Sequence, residues 1–202
     1  MKKKLRMPHL RGHEIAAVDV ETTGVDSNFH EVVQIGLVLL DQDLNPTEKR
    51  FYHNIRPDYP GRIDPGAVAI NQLTMDILDE APSQLQVADW LLEWYEGLNL
   101  GMGAKLIPLA HNWTFEYRFL SAWLGSKLRD EIFHFHPRDA MVYALGINDR
   151  YGLCGAVPFE KVSLAYLCDF FGIVNEKPHD ALADAIAEAK VYKALLGCER
   201  GK

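Results

Sequence analysis

The stretch Ile15-Ala16-Ala17-Val18-Asp19-Val20-Glu21-Thr22-Thr23-Gly24 decides the reading of the fold. Ile15 to Val20 is a short apolar run, β-branched at Ile15, Val18 and Val20, and it leads into the turn signal Thr22-Thr23-Gly24. Such a run reads as a buried strand. Side chains two apart on a strand share a face, so Asp19 and Glu21 present two carboxylates together at the strand's end. Like charges at that spacing repel, and burying either one unpaired is costly. A hard divalent cation such as Mg²⁺ or Mn²⁺ relieves both problems, because it takes carboxylate oxygens. By itself, an Asp-x-Glu pair is more simply a solvated sheet edge.

Working outward, Glu31 to Leu40 reads as a second strand and Arg50 to Arg56 as a third, with an Asn-Pro turn signal between them. Short connections between three strands suit an antiparallel meander. After Pro65 the spacing turns helical, with Val68, Leu73, Ile77 and Leu78 near one face. Ser83 reads as the N-cap of an amphipathic helix ending at Gly97. Leu106 to Ala110 is a strand, and Thr114 to Leu124 a helix closed by Gly125. Asp139 starts another helix, Val162 to Phe171 a further one, and Asp180 to Leu196 a long Ala-rich one stopped by Gly197. The order predicts an α/β fold in which helices flank a mixed β-sheet. No linker or repeat interrupts it, so the expectation is a single domain over residues 1–202. Its core is expected at about 13–197, behind a basic segment at 1–12.

Two further clusters carry chemistry. His179-Asp180-Ala181-Leu182-Ala183-Asp184 places an imidazole just before a helix and a carboxylate within it. An imidazole titrates near neutrality and can take a proton from water. Ala110-His111-Asn112-Trp113-Thr114-Phe115-Glu116 is a strand end followed by a helix start with an acidic residue in its first turn. Each cluster alone has a plain structural explanation, since acidic groups favour helix N-termini.

Together, in this order, they resemble the DEDDh group of 3′–5′ exonucleases, in the superfamily of the polymerase III proofreading subunit and ribonuclease T. Ile63-Asp64-Pro65-Gly66-Ala67-Val68-Ala69-Ile70-Asn71 and Arg138-Asp139-Ala140 resemble weaker segments of the same group. The likeness spans residues 15 to about 195. It implies a ribonuclease H-like fold and two divalent ions, Mg²⁺ or Mn²⁺, on the scissile phosphate. Asp19, Glu21, Glu116 and Asp184 would hold the ions, with Asp19 bridging. His179 would be the general base, and nucleoside 5′-monophosphates the products. One position departs from the pattern: Glu116 stands where the group has Asp. The added methylene shifts the carboxylate by roughly 1.5 Å. The expectation is retained activity, with metal preference open to change.

The resemblance also implies that Thr22, Thr23 and Gly24 lie against the terminal nucleotide, Gly24 allowing close backbone approach. His111 and Asn112 would contact substrate or support the site. Trp113 could stack on a base or pack at the helix start. Trp90 and Trp94 read as core or partner-facing, and His134 and His136 as structural. The expected substrate is a single-stranded DNA 3′ end. An RNA 3′ end is the alternative, because the ions act on the phosphate while pocket shape judges the sugar. A DNA polymerase is a candidate partner. A non-catalytic module that binds nucleic-acid ends is the competing class.

Composition fits this reading. The 202 residues carry 21 Lys plus Arg against 28 Asp plus Glu, a net charge of −7. That argues against wholesale coating of nucleic acid but not against a metal-bearing cleft. Cys154, Cys168 and Cys198 are scattered, with no CxxC, as suits a reducing compartment. The basic start is not followed by an apolar stretch, so the expectation is a cytoplasmic protein with no membrane span.

Overall fold

A computed structural model describes residue 10 and residues 12–198. Most of the basic segment expected at 1–12 lies outside the described residues. The first strand, β1 (Glu14–Thr22), is the centre of the sheet. It pairs antiparallel with β2 (Val32–Leu40), which pairs antiparallel with β3 (Pro46–Asn54). On the other side β1 runs parallel to β4 (Leu106–Ala110), and β4 parallel to β5 (Arg138–Asp139). The order β3-β2-β1-β4-β5 makes a five-stranded mixed sheet.

Helices cover both faces. After β3 come α1 (Pro65–Asn71), α2 (Met75–Leu78) and α3 (Gln84–Gly97). Then α4 (Trp113–Ile132) follows β4, and α5 (Ala140–Gly152), α6 (Leu164–Phe171) and α7 (Ala181–Cys198) complete the chain. Ala16, Val18, Ile35 and Leu37 pack against Val87 and Leu91 of α3 and Phe119 and Leu120 of α4. Ile15, Ala17, Val38 and Leu109 pack against α5, α6 and α7. Because β1 alternates, Asp19 and Glu21 follow Ile15 and Ala17 onto the α7 face. That parity directs both carboxylates towards the last helix.

The helix α7 sits unusually close to the sheet, and composition explains it. Ala181, Ala185, Ala187 and Ala189 are buried. Gly36, opposite Asp19 in the β1–β2 register, lies beneath its first turn. A Cβ at Gly36 would stand 2.4 Å from the carbonyl carbon of Ala181 and the nitrogen of Leu182. Any side chain there would lift the helix that carries Asp184 away from the strand that carries Asp19.

The Ser83 cap holds as a full capping box with Gln86. Several boundaries differ from expectation; the helix expected from Val162 starts at Leu164, and the strand expected to reach Arg56 ends at Asn54. The strand β3 begins at Pro46, not Arg50, pairing Pro46 with Leu40; its first half is a polar sheet edge that tolerates proline at its start. The helical stretch after Pro65 breaks at Gln72, whose φ is 60°. Helix α4 kinks at Gly125 (φ 69°, ψ 163°) but then resumes to Ile132. Helix α7 runs through Gly197 to Cys198. No helix among the described residues is long and apolar enough to cross a membrane.

Candidate active site

The site forms where the end of β1, the start of α4 and the start of α7 converge. At the end of β1 a register shift between Glu21 and Thr22 re-aims the chain. The turn that follows is held by its own hydroxyls. Thr22 Oγ1 donates to the Gly24 carbonyl at 2.6 Å, and Thr23 Oγ1 accepts from the Glu31 N–H at 2.9 Å. A Cβ on Gly24 would stand 2.4 Å from Nε2 of His30. The close approach at Gly24 is therefore made by a ring of the chain itself. Asn71, at the end of α1, ties this turn down: its Nδ2 donates to the Thr22 carbonyl at 3.2 Å, and its side chain also hydrogen-bonds Glu21.

The opposite wall is built before α7. Asp180 caps the helix, accepting from the Ala183 N–H at 3.3 Å. Its other oxygen accepts from the Tyr52 hydroxyl at 2.6 Å and from Lys177 Nζ at 2.7 Å. Burial opposes charge on Asp180, but the bonds from Lys177, Tyr52 and Ala183 outweigh it and hold the carboxyl below its ordinary range. Gln34, paired with Glu21 across the sheet, accepts from the Ala181 N–H at 2.8 Å. Its amide in turn donates to Asn54 at 2.7 Å and Tyr52 at 3.1 Å. Asp184 lies in the first turn of α7. One of its oxygens accepts from the Asn175 side chain, the other from the His179 N–H at 3.1 Å. His179 is exposed, with φ 64°, a left-handed backbone that turns its ring towards the cleft mouth.

A carboxylate oxygen of Glu21, a ring nitrogen of His179 and a carboxylate oxygen of Asp184 lie within 4.8 Å of one another. Deeper, Glu116 is buried in the first turn of α4 with Oε2 unpartnered. Asp139 braces the turn before it, accepting from the Trp113 N–H at 2.8 Å and the Asn112 N–H at 3.3 Å while capping α5. That turn places Asn112 at φ 81°. Trp113 packs against Tyr117 and Phe133, and the ring nitrogens of His111 are buried.

The sequence-predicted carboxylates and His179 thus converge, whereas Trp113 and the hydroxyls of Thr22 and Thr23 serve packing and the turn. Three residues that motif reading passes over belong to the same assembly, Gln34, Asn175 and Glu188, as does Asn71, the last residue of the weaker Ile63-to-Asn71 segment. Glu188 had a sequence signal, since it lies four residues after Asp184 and so on the same helical face.

Electrostatics show how crowded with carboxylates the cleft is. Burial pushes Asp19 well above the ordinary carboxyl range, and Glu116, Glu21 and Asp184 push it further. Burial and then Asp184 raise Glu21 from 4.5 to about 7, against the hydrogen bond from Asn71. Asp184 is raised by burial despite its two donors. Without a cation, the folded state holds these protons more tightly than the unfolded chain. For Glu21 that stabilisation is complete below 4.5 and is lost as pH rises through about 7. The melting temperature of EDTA-treated protein is therefore expected to fall between about pH 5 and pH 8. A rise across that window in scanning fluorimetry would contradict the crowding of these carboxylates.

A mixed sheet of this order, with carboxylates at the end of its central strand facing a helix that brings a further carboxylate, is an α/β nuclease fold of the ribonuclease H-like class. The chain belongs to the exonuclease family, whose model (RNase T, exonuclease) matches residues 16–192. Members of that family are generally dependent on divalent metals. The chain is 26% identical over 193 residues to mouse 3′-5′ exoribonuclease 1, covering 92% of itself and 54% of that relative. It is 29% identical over 189 residues to the DNA polymerase III subunit epsilon of Pasteurella multocida, covering 89% of itself and 67% of that relative. It thus spans only about half the length of the exoribonuclease. The nuclease domain of 3′hExo bound to rAMP superposes with a TM-score of 0.65 at 22% identity, covering 92% of both chains. Escherichia coli exonuclease I in complex with a dT13 oligonucleotide gives 0.69 at 17% identity, covering 91% of this chain and 41% of that one. These likenesses establish the fold.

Proposed function

We propose that this chain is a metal-dependent 3′–5′ exonuclease that removes nucleoside 5′-monophosphates from single-stranded DNA 3′ ends. The observation that carries the reading is the convergence of Glu21, His179 and Asp184 within 4.8 Å, beside Asp19. The donors suit hard cations: they are mainly carboxylate oxygens, the charges acting most strongly on Asp19 are all negative, and Glu116 has a buried oxygen without a partner. Asp19, Glu21, Glu116 and Asp184 would hold two divalent ions, Mg²⁺ or Mn²⁺. Such ions supply positive charge to the phosphoryl oxygens and the leaving 3′-oxygen.

The residues do the rest. Asn175 and the His179 N–H orient the Asp184 carboxylate, and Asn71 orients Glu21. The His179 ring, at the exposed mouth, takes the proton of the attacking water. The Thr22-Thr23-Gly24 turn and the neighbouring His111-Asn112-Trp113 segment form the walls beside the terminal nucleotide. The similarity to a polymerase III epsilon subunit makes a DNA polymerase a candidate partner. The mouse exoribonuclease supports RNA 3′-end trimming as the second reading.

Matched 3′-labelled DNA and RNA single strands, incubated with Mg²⁺ or Mn²⁺, decide between them. The expected result is monophosphate release from DNA faster than from RNA, abolished by EDTA. Faster release from RNA would replace the DNA reading. No release from either strand at high protein concentration, with binding retained, would leave an end-binding module instead.

A further inference from the structure

A second cleft, of about 450 Å³, opens on the sheet face away from α7, where the loop after β1 meets the loop after β3. Val32, Phe119 and Trp123 line its apolar side. Phe29 and Tyr59 also line it, yet they stay 49% and 54% exposed. The Arg62 guanidinium lies over both rings, its carbon 5.0 Å from the centre of Phe29 and 4.0 Å from that of Tyr59. A ring face attracts a cation, so Arg62 links the two rings into one platform.

Both loops are ordered by the fold. Glu31 accepts from the Asp58 N–H through one carboxylate oxygen and from the Tyr59 N–H through the other, each at 2.9 Å. Arg62 ends the short 3₁₀ turn Pro60–Arg62 and donates to the Phe29 carbonyl at 3.5 Å. In the loop after β1, the Asp26 N–H donates to Nδ1 of His30 at 3.1 Å, and the His30 N–H to the Asp26 carbonyl at 2.7 Å. Rings held in place before a ligand arrives lose little freedom on binding it.

The platform is continuous with the active site. Phe29 meets His30 edge-on, with ring centres 5.1 Å apart, and the His30 ring lies against Gly24. The Asp64 N–H, two residues after Arg62, donates to the Thr23 carbonyl at 2.8 Å. Tyr59, Arg62, Phe29 and His30 thus lead away, in contact, from the turn beside the terminal nucleotide. Charge narrows what they take. Among the described residues, Arg62 is the one Lys or Arg lining the cleft, and Glu31 and Asp58 line it too. That balance disfavours a free phosphate and leaves the rings to recognise the ligand. Every base has a π-face, so stacking on aromatic side chains tolerates any sequence.

We propose that Phe29 and Tyr59, bridged by Arg62, form a stacking subsite for a base of single-stranded nucleic acid upstream of the terminal nucleotide. The inference rests on the exonuclease reading for the direction of the strand and adds to it the residues that hold the part not being cut. A duplex keeps its bases paired and stacked inside, so the subsite selects single strands.

The test uses the full chain in EDTA, where no strand is cut, and the fluorescence anisotropy of a 5′-labelled oligothymidylate of about eight nucleotides. The double variant Phe29→Leu, Tyr59→Leu keeps apolar bulk at two exposed positions and removes the rings. It is expected to bind the strand about tenfold or more weakly. The factor should be the same at low and high salt, because salt screens charges and not stacking. A blunt duplex of the same length should lose no affinity. With 5-iodouracil placed at one position at a time, irradiation and mass spectrometry should find cross-links to Phe29 or Tyr59 from an internal nucleotide and none from the 3′-terminal one. Equal strand affinity in wild type and double variant, both folded by circular dichroism, would overturn the proposal. So would cross-links from the terminal nucleotide alone, or a loss shared equally by the duplex. Thymidine 5′-monophosphate that binds the cleft only when the rings are present, with strand affinity unaffected by them, would make it a product seat instead. The exonuclease reading fails separately: if the rings hold the strand in EDTA but the wild type releases no nucleotide with Mn²⁺, the subsite stands and the activity falls.

Discussion

Asp19→Asn is expected to lower nucleotide release by about 10³-fold or more. Metal charge on a scissile phosphate contributes several kcal/mol to the transition state, and about 1.4 kcal/mol is tenfold in rate. The charges of Glu116, Glu21 and Asp184 all act on Asp19, so its loss is felt across the cluster. The amide is nearly isosteric, so packing on the α7 face stays intact. Stability should move the other way. Burial and three neighbouring carboxylates oppose the charge on Asp19, so removing it should raise the melting temperature of the metal-free protein. The stabilisation that Mn²⁺ gives the wild type should largely vanish. Rates under saturating Mn²⁺, with melts in EDTA and in Mn²⁺, read both effects. A variant that cuts at near-normal rates would remove Asp19 from the site. One that loses activity but melts lower in EDTA would make Asp19 a structural residue.

Legibility in the sequence followed the range of each interaction. The strand β1 and its carboxylate pair were legible because alternation and the Thr22-Thr23-Gly24 turn are local signals. The Ser83 cap and the β4 strand were legible for the same reason. The start of β3 was not, because an exposed edge strand needs no apolar alternation and Pro46 mimics a turn. The resumption of α4 after Gly125 was hidden because glycine at positive φ ends a helix as readily as it kinks one. The network that seats α7 joins Gln34 to Ala181 and Tyr52 to Asp180, pairs 147 and 128 residues apart. No periodicity reports such contacts. Gly24 shows a different limit: the resemblance sets the terminal nucleotide against it, whereas the folded chain places the His30 ring there. Glu188 lay within reach of helical-face reasoning and was obscured by the motif beside it.

His179→Ala is the complementary case, expected to slow cleavage by roughly 10²–10⁴-fold, the range for a positioned general base. A nitrogen of its ring lies within 4.8 Å of carboxylate oxygens from Glu21 and Asp184, so ligand and base are both geometrically open to it. Mn²⁺ affinity separates them. The backbone N–H of residue 179, which donates to Asp184, survives the substitution, so the carboxylate keeps its orientation. A base would therefore leave Mn²⁺ binding nearly unchanged while the rate falls. Backbone strain is the remaining confounder, because φ is 64° here and alanine resists the left-handed region. Asparagine tolerates that region, so His179→Asn isolates the imidazole. It should be as slow as His179→Ala. Recovery of rate in His179→Asn would assign the effect to the backbone. Loss of an ion in either variant would make His179 a ligand, and water at this site would then need another base.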